Sequence, residues 1–227
     1  MAKTGIIGHR GAAGLALENS HESMLAALDY AVDAIEFDVR RTLDDQLIVL
    51  HDPHTGRIAN EKVRVNTKTL SELRALRLKN GQSISTLEEV LHIIGDKKPV
   101  VIDVKDPGCT EALVKILADN PMVRASFTSL LTEELVRIHT ARPGLTICVR
   151  DIINPFRILR TARMADAEAI SLNMRLINPL TYRLAQKRGL EVRIYTVNSP
   201  WLAHFFRKMY PGIIMYTDYP ERFTAKP

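Results

Sequence analysis

Two carboxylates one residue apart, Glu36 and Asp38, sit in the run Ala34-Ile35-Glu36-Phe37-Asp38-Val39. In an extended strand residues i and i+2 point to the same side, so the two carboxylates share a face and Phe37 takes the other. Anions so close, in a wall of Ala, Ile and Val, repel and are costly to desolvate unless a cation neutralises them. Carboxylate oxygens are the ligands of hard divalent ions, which points to Mg²⁺ or Ca²⁺. Asp103, near the end of Val100-Val101-Ile102-Asp103-Val104, has the same alternation and is placed to supply a third oxygen. The competing reading is a cluster neutralised by Arg10 and Lys105 alone. His9 and His51 each precede a polar residue at the end of an apolar run, and imidazole exchanges protons near neutral pH. Beside a carboxylate metal site, one is suited to take a proton while the other gives one. His21, His54, His92, His139 and His204 show no convergent partners and read as surface or packing residues.

The elements that must hold these groups follow a regular rhythm. Eight β-rich runs, at about 4–8, 34–39, 100–104, 123–127, 145–149, 169–172, 191–197 and 212–215, alternate with segments of helical period. A further short run at 47–50 ends at His51-Asp52, where Pro53 prevents simple continuation. The first helix is expected over 20–31, with Met24, Leu25, Leu28 and Val32 on one face; another is expected over 87–94. Gly189 marks the end of the helix at 181–188. Residues 53–83 read as a polar excursion at the rim, with a helix around 70–78. This pattern predicts an α/β fold, a closed (β/α)₈ TIM barrel forming a single domain over 1–227, in preference to an open doubly wound sheet. In such barrels the active site lies where strands end, which is where His9, Asp38, His51, Asp103 and Lys105 fall. Gly8, Gly11 and Gly14 match no nucleotide-binding turn and read as tight backbone after the first strand.

Composition excludes several classes. A chain of 227 residues with 46% hydrophobic and 25% charged residues can bury a sizeable core, so disorder is ruled out. The net charge of +5, with Lys and Arg read as interspersed among Asp and Glu, implies mild attraction for small anions. There is no lysine run or aromatic-interleaved basic stripe of a nucleic-acid binder. Arg157, Arg160 and Arg163 lie at helical spacing, read as a solvated face with a phosphoryl or membrane contact as the lesser alternative. Cys109 and Cys148 form no Cys-x-x-Cys pair and read as plain thiols. Met1-Ala2-Lys3-Thr4 runs directly into Gly5-Ile6-Ile7-Gly8 without a long apolar stretch, which reads as a cytoplasmic protein with no stable membrane insertion.

Taken in order, the segments resemble the glycerophosphodiester phosphodiesterase family: His9-Arg10-Gly11, Glu18-Asn19-Ser20, Glu36-Phe37-Asp38-Val39, His51-Asp52, Ser85-Thr86-Leu87-Glu88-Glu89, Asp103 with Lys105, Thr196-Val197-Asn198 and Thr217-Asp218-Tyr219-Pro220. The resemblance spans nearly the whole chain. It implies a (β/α)₈ barrel that uses a divalent metal to hydrolyse a small-molecule glycerophosphodiester to sn-glycerol 3-phosphate and an alcohol. It also implies His9 and His51 as the acid/base pair and Glu36, Asp38 and the residue at 103 as metal ligands. Arg10 and Lys105 then face the phosphate, Glu18 supports the site, and 53–83 takes the place of the family's insertion at the barrel mouth. Asp103 stands where the family commonly has Glu, a reach shorter by roughly 1.5 Å. Ser20, Ser85 and Tyr195 replace a usual Thr, Pro and Trp, and Tyr195 is expected to pack the substrate. Rival readings are a lysophospholipase D-like enzyme and an inactive barrel that binds phosphorylated ligands.

Overall fold

The structure, a computed structural model, describes residues 4–226; Met1, Ala2 and Lys3 of the opening segment, and Pro227, lie outside them. Eight parallel strands close into a barrel: β1 (Ile6–Gly8), β2 (Ala34–Arg41), β4 (Val100–Val104), β5 (Ala125–Ser129), β6 (Thr146–Asp151), β7 (Ala169–Asn173), β8 (Glu191–Tyr195) and β9 (Ile214–Thr217). Pairing runs in that order round the ring, and β9 returns to β1 in parallel, with Gly8 opposite Thr217. The remaining strand, β3 (Leu47–Val49), pairs antiparallel with β2 outside the ring, Val39 facing Val49. This is the TIM barrel expected from the alternation of runs.

Helices α1 (His21–Leu28), α3 (Leu87–Ile94), α4 (Thr110–Asp119), α5 (Thr132–Ala141), α6 (Arg157–Met164), α7 (Pro179–Lys187) and α8 (Pro200–Met209) follow the strands. Their starts are set by local chemistry. Ser20 and Thr86 each accept the N–H three residues on, while Ser23 and Glu89 reach back to the cap's own N–H. Such reciprocal caps satisfy donors that have no partner inside the helix, each for about 1 kcal/mol. The outward faces of the strands, among them Ile35, Phe37, Ile102, Phe127, Ile147, Ile170 and Ile194, join the helices' buried residues in one continuous core. Each such side chain contributes roughly 1.5–3 kcal/mol by leaving water. A smaller set, Ile7, Ala34, Val101 and Tyr216, packs separately.

Several boundaries differ from the pattern-based expectation. The first helix ends at Leu28, and its buried positions are Ser23, Met24 and Ala27; Leu25 is 52% exposed. Met24 and Ala27, three apart, set the inward face, and Leu25 lies about 100° round from Met24. Strands β5 and β9 start two residues later than expected, because Val123 and Ile213 belong to turns that close the preceding helices, donating to Asn120 and Tyr210 carbonyls. They end two residues later, on Ser129 and Thr217, since polar residues at strand ends break an apolar pattern without ending the ladder. Residues 53–83 carry two turns of 3₁₀ helix and α2 (Leu70–Ala75), around a cluster of their own with Ile48, Leu50, Ile58, Val65, Leu73 and Leu78.

Candidate active site

The barrel brings the three predicted carboxylates together. Asp38 and Asp103 are direct partners across the parallel β2–β4 ladder, and Glu36 lies two residues earlier on the same face. All three are buried, and one oxygen from each lies within 4.8 Å of the others. Their surroundings differ. Asp38 accepts from Lys105 Nζ at 2.9 Å and from Asn19 Nδ2 at 2.8 Å, and Arg10 Nε approaches at 3.3 Å. Burial works against its charge, but Lys105 and Arg10 prevail and hold the carboxyl below its ordinary range. Asp103 is claimed by Lys105 Nζ at 2.6 Å and by Arg150 Nη1, so its shorter side chain is anchored from two sides. Glu36 receives only the Arg10 amide N–H, at 2.9 Å, and His9 Nε2 at 4.0 Å. Its Oε1 is buried with no hydrogen-bond partner among the described residues. Burial, then the charge of Asp38, pushes the Glu36 carboxyl up. The cations present bond Asp38 and Asp103 directly, whereas His9 and Arg150 act on Glu36 only from a distance. An unpartnered carboxylate oxygen among two others fits a hard divalent cation.

Both predicted histidines stand beside this cluster, and each is oriented by a carboxylate. His9 Nδ1 lies 2.6 Å from Asp218 Oδ1, at the end of β9, which pairs with β1 only because the barrel closes. His51 Nδ1 lies 2.6 Å from Asp52 Oδ1. A carboxylate on Nδ1 fixes the tautomer in which that nitrogen carries hydrogen, leaving each Nε2 to exchange a proton. His51 reaches the site from β3 rather than from a barrel strand. The Leu50 N–H bonds the Asp38 carbonyl at 3.0 Å, and Arg40 Nε holds the His51 carbonyl at 2.9 Å. Burial lowers the His51 pKa; Asp38 and Asp52 oppose this while Arg10 and Lys105 add to it.

Arg10 adopts φ 50°, a region few non-glycine residues enter. That turn directs its N–H to Glu36 and its guanidinium to Glu18, Nη1 to Oε1 2.8 Å. Gly11 follows at φ 80°, where a Cβ would come within 2.5 Å of the Ser23 carbonyl. The tight backbone expected at the early glycines is thus required by the approach of α1. Glu18 is shared between Arg10 and Arg57, the latter giving Nη2 to Oε1 at 2.7 Å. Burial would raise its pKa, but the hydrogen bond from Arg57 and the charge of Arg10 hold it down. Tyr195 sits beneath Arg150, whose guanidinium carbon is 4.4 Å from the ring centre, and its hydroxyl is buried without a partner.

Every predicted site residue thus lies at or beside the carboxylate cluster. Four further groups were given no role by the sequence: Asp218, which holds His9; Asn198, which holds Asp218; Arg57 from the excursion; and Arg150. Asn198 Nδ2 donates to Asp218 Oδ2 at 2.7 Å, and Arg57 Nε to Asp52 Oδ2 at 2.6 Å. Arg150 follows Cys148 by two residues on β6, on the alternation that Thr128 and Asp103 share across the ladders, a register that only the fold supplies. The two cysteines are buried free thiols, with Cys109 pushed up to about 12 by burial, in keeping with inert packing roles.

Comparison with known proteins agrees with this fold. A solved phosphodiesterase from Oleispira antarctica, in complex with the product sn-glycerol-3-phosphate, superposes with a TM-score of 0.90 at 21% identity, covering 96% of this chain and 94% of that one. The glycerophosphodiester phosphodiesterase structure from Thermotoga maritima gives 0.84 at 22%, covering 98% of both. A glycerophosphodiester phosphodiesterase from Caldanaerobacter subterraneus subsp. tengcongensis is 35% identical over 239 residues, 96% of each chain. The model of the glycerophosphoryl diester phosphodiesterase family matches residues 9–222, and the chain belongs to that family.

Proposed function

We propose that this protein hydrolyses glycerophosphodiesters to sn-glycerol 3-phosphate and an alcohol, with a divalent cation held by Glu36, Asp38 and Asp103 and with His51 and His9 exchanging protons. The observation that carries the reading is the pairing of two carboxylate-oriented imidazoles with a buried acidic cluster in which Glu36 Oε1 has no partner. When bound, the cation supplies positive charge for the phosphate oxygens and for the charge that develops at phosphorus. Arg10 and Lys105, fixed by Glu18, Asp38 and Asp103, add positive charge at the same place.

The surroundings divide the two histidines by role. His51, with its pKa lowered by burial and by nearby cations, is neutral at pH 7 and suited to accept a proton from the nucleophile. That nucleophile is the substrate's own 2-hydroxyl, giving a cyclic phosphate that water opens, or water directly. His9 faces carboxylates on both nitrogens, Asp218 at Nδ1 and Glu36 near Nε2, and is placed to deliver a proton to the leaving alcohol oxygen. Tyr195 and Arg150 form the wall opposite β2, where the alcohol or glycerol end packs.

The test is hydrolysis of glycerophosphocholine and glycerophosphoethanolamine by chelator-stripped protein resupplied with Mg²⁺, Ca²⁺ or Mn²⁺, with glycerol 3-phosphate as readout. Activity that vanishes with chelator and returns with one of these ions supports the proposal. Preference for lysophosphatidylcholine would move the protein to a lysophospholipase D-like role. No turnover of any diester after restoration would leave an inert phospho-ligand barrel.

A further inference from the structure

The charge balance of the chain is less even than its interspersed Lys, Arg, Asp and Glu suggest. Residues 152–217 carry ten Lys or Arg against three acids, Asp166, Glu168 and Glu191, leaving 21 basic against 23 acidic residues elsewhere. The fold gives this segment to α6, α7 and α8, three consecutive helices of the outer ring. It places the three acids where β7 and β8 begin, at the end of the barrel remote from the candidate site. At the helix starts, which follow the strand ends that carry the site, stand Arg157 and Arg175 with Arg160 a turn on, while Arg163, Lys187, Arg207 and Lys208 lie in the last turns.

Large apolar side chains are exposed at those same starts. In the connection from β6 to α6, Ile152 is 54%, Ile153 70% and Phe156 50% exposed; Leu180 at the start of α7 is 56% and Trp201 at the start of α8 is 72% exposed. The β6–α6 connection is ordered by its own hydrogen bonds. Asp151 Oδ1 accepts from the Ile153 and Asn154 amides at 2.8 and 3.1 Å, and Asn154 Oδ1 from those of Phe156 and Arg157 at 2.9 and 3.1 Å. Ile152, Ile153 and Phe156 are thus held outward rather than folded onto the core. The outer face of α6 is Arg157, Arg160 and Arg163, with no acid between Ile152 and Met164. Trp201 stacks on Phe205 with ring centres 6.2 Å apart, a broad amphipathic surface of the kind found at membrane–water boundaries.

We infer that this arc docks the barrel mouth on an anionic lipid bilayer. Ile152, Ile153, Phe156 and Trp201 enter the headgroup boundary, and Arg160 and Arg175 pair with lipid phosphates, Arg157 being held by Asp151. The attachment inferred is peripheral; among the described residues no helix is long and apolar enough to cross a membrane. Charge argues against a second copy as the occupant, because a two-fold contact on this face would set the arginine row of α6 against itself. The alternation of apolar and basic groups also lacks the apolar centre and polar rim of a protein interface. Docking does not depend on what the barrel hydrolyses.

The test is flotation of the full chain with vesicles of phosphatidylcholine alone or mixed with phosphatidylglycerol. The expected result is flotation with the mixed vesicles only, reversed by raised salt. Replacing Arg160 and Arg175 by Gln weakens partitioning by on the order of 20-fold, about fivefold for each charge. Ile153→Ser with Phe156→Ser weakens it by about tenfold or more, while thermal unfolding stays that of the parent. Flotation without diester hydrolysis would sustain docking and overturn the proposed function. Docking is overturned if the parent floats with neither vesicle, if the variants float like the parent, or if light scattering shows a dimer that Phe156→Ser dissolves.

Discussion

The two histidine–carboxylate pairs look alike at Nδ1, 2.6 Å in each, but they are built differently. Asp218 reaches His9 across 209 residues of sequence, and its other oxygen is held by the neutral amide of Asn198. Asp52 is the residue after His51, and its other oxygen is held by the guanidinium of Arg57. His9 is the more enclosed ring, with 11% of its side chain exposed against 34% for His51. A carboxylate shared with an arginine has less negative field to offer an imidazole than one shared with an amide. The Arg57 hydrogen bond, opposed by burial and helped by His51, pulls Asp52 down to about 2. The pair at His51 is thus suited to accepting a proton.

The sharpest way to break this comparison is to remove either ring. His51→Ala and His9→Ala are each expected to lower kcat on glycerophosphocholine by on the order of 10²–10⁴-fold, the worth of a positioned acid or base. Asp218→Asn comes next, at roughly 10²-fold, because a buried imidazole loses both its tautomer control and its only bonded carboxylate. Asp52→Asn is expected to cost about tenfold, since water can reach the more exposed His51 ring. Asp52 raises the His51 pKa, so its removal also moves the acid limb of the rate profile to lower pH. Arg57→Gln gives the smallest change, about threefold in rate, and moves the same limb upward, as Asp52 then acts on His51 undivided. Equal losses and unmoved limbs in the two Asn variants would erase the distinction between the pairs.

Most of the barrel was legible because each parallel strand is an apolar run of the right length, and 100–104 and 87–94 were bounded as they stand in the structure. Glu36, Asp38, His9 and His51 were legible for a different reason: charged residues at the ends of such runs have no packing explanation. The His9–Asp218 pair was hidden because it exists only when β9 closes on β1. Arg150 was hidden because an arginine in a strand ordinarily reads as outward-facing, whereas here Asp103 and the Tyr195 ring compensate its burial. Burying such a charge unpaired would cost several kcal/mol, which ties Arg150 to the shorter acid at position 103. The basic arc of α6 to α8 was lost in the whole-chain balance and emerges once the fold sorts three acids to one end and the arginine row to the outside.

The central claim is that His51 accepts a proton and His9 delivers one beside the carboxylate cluster. It is tested most directly by the pH dependence of kcat/KM on glycerophosphocholine for the parent, His51→Ala and His9→Ala. A bell is expected for the parent, with its acid limb below the ordinary imidazole value of about 6.5 because burial and nearby cations lower His51. His51→Ala should lose the acid limb, and His9→Ala should keep it while turnover falls by on the order of 10²–10⁴-fold. Retention of the acid limb in His51→Ala, or turnover near that of the parent in either variant, would contradict the account.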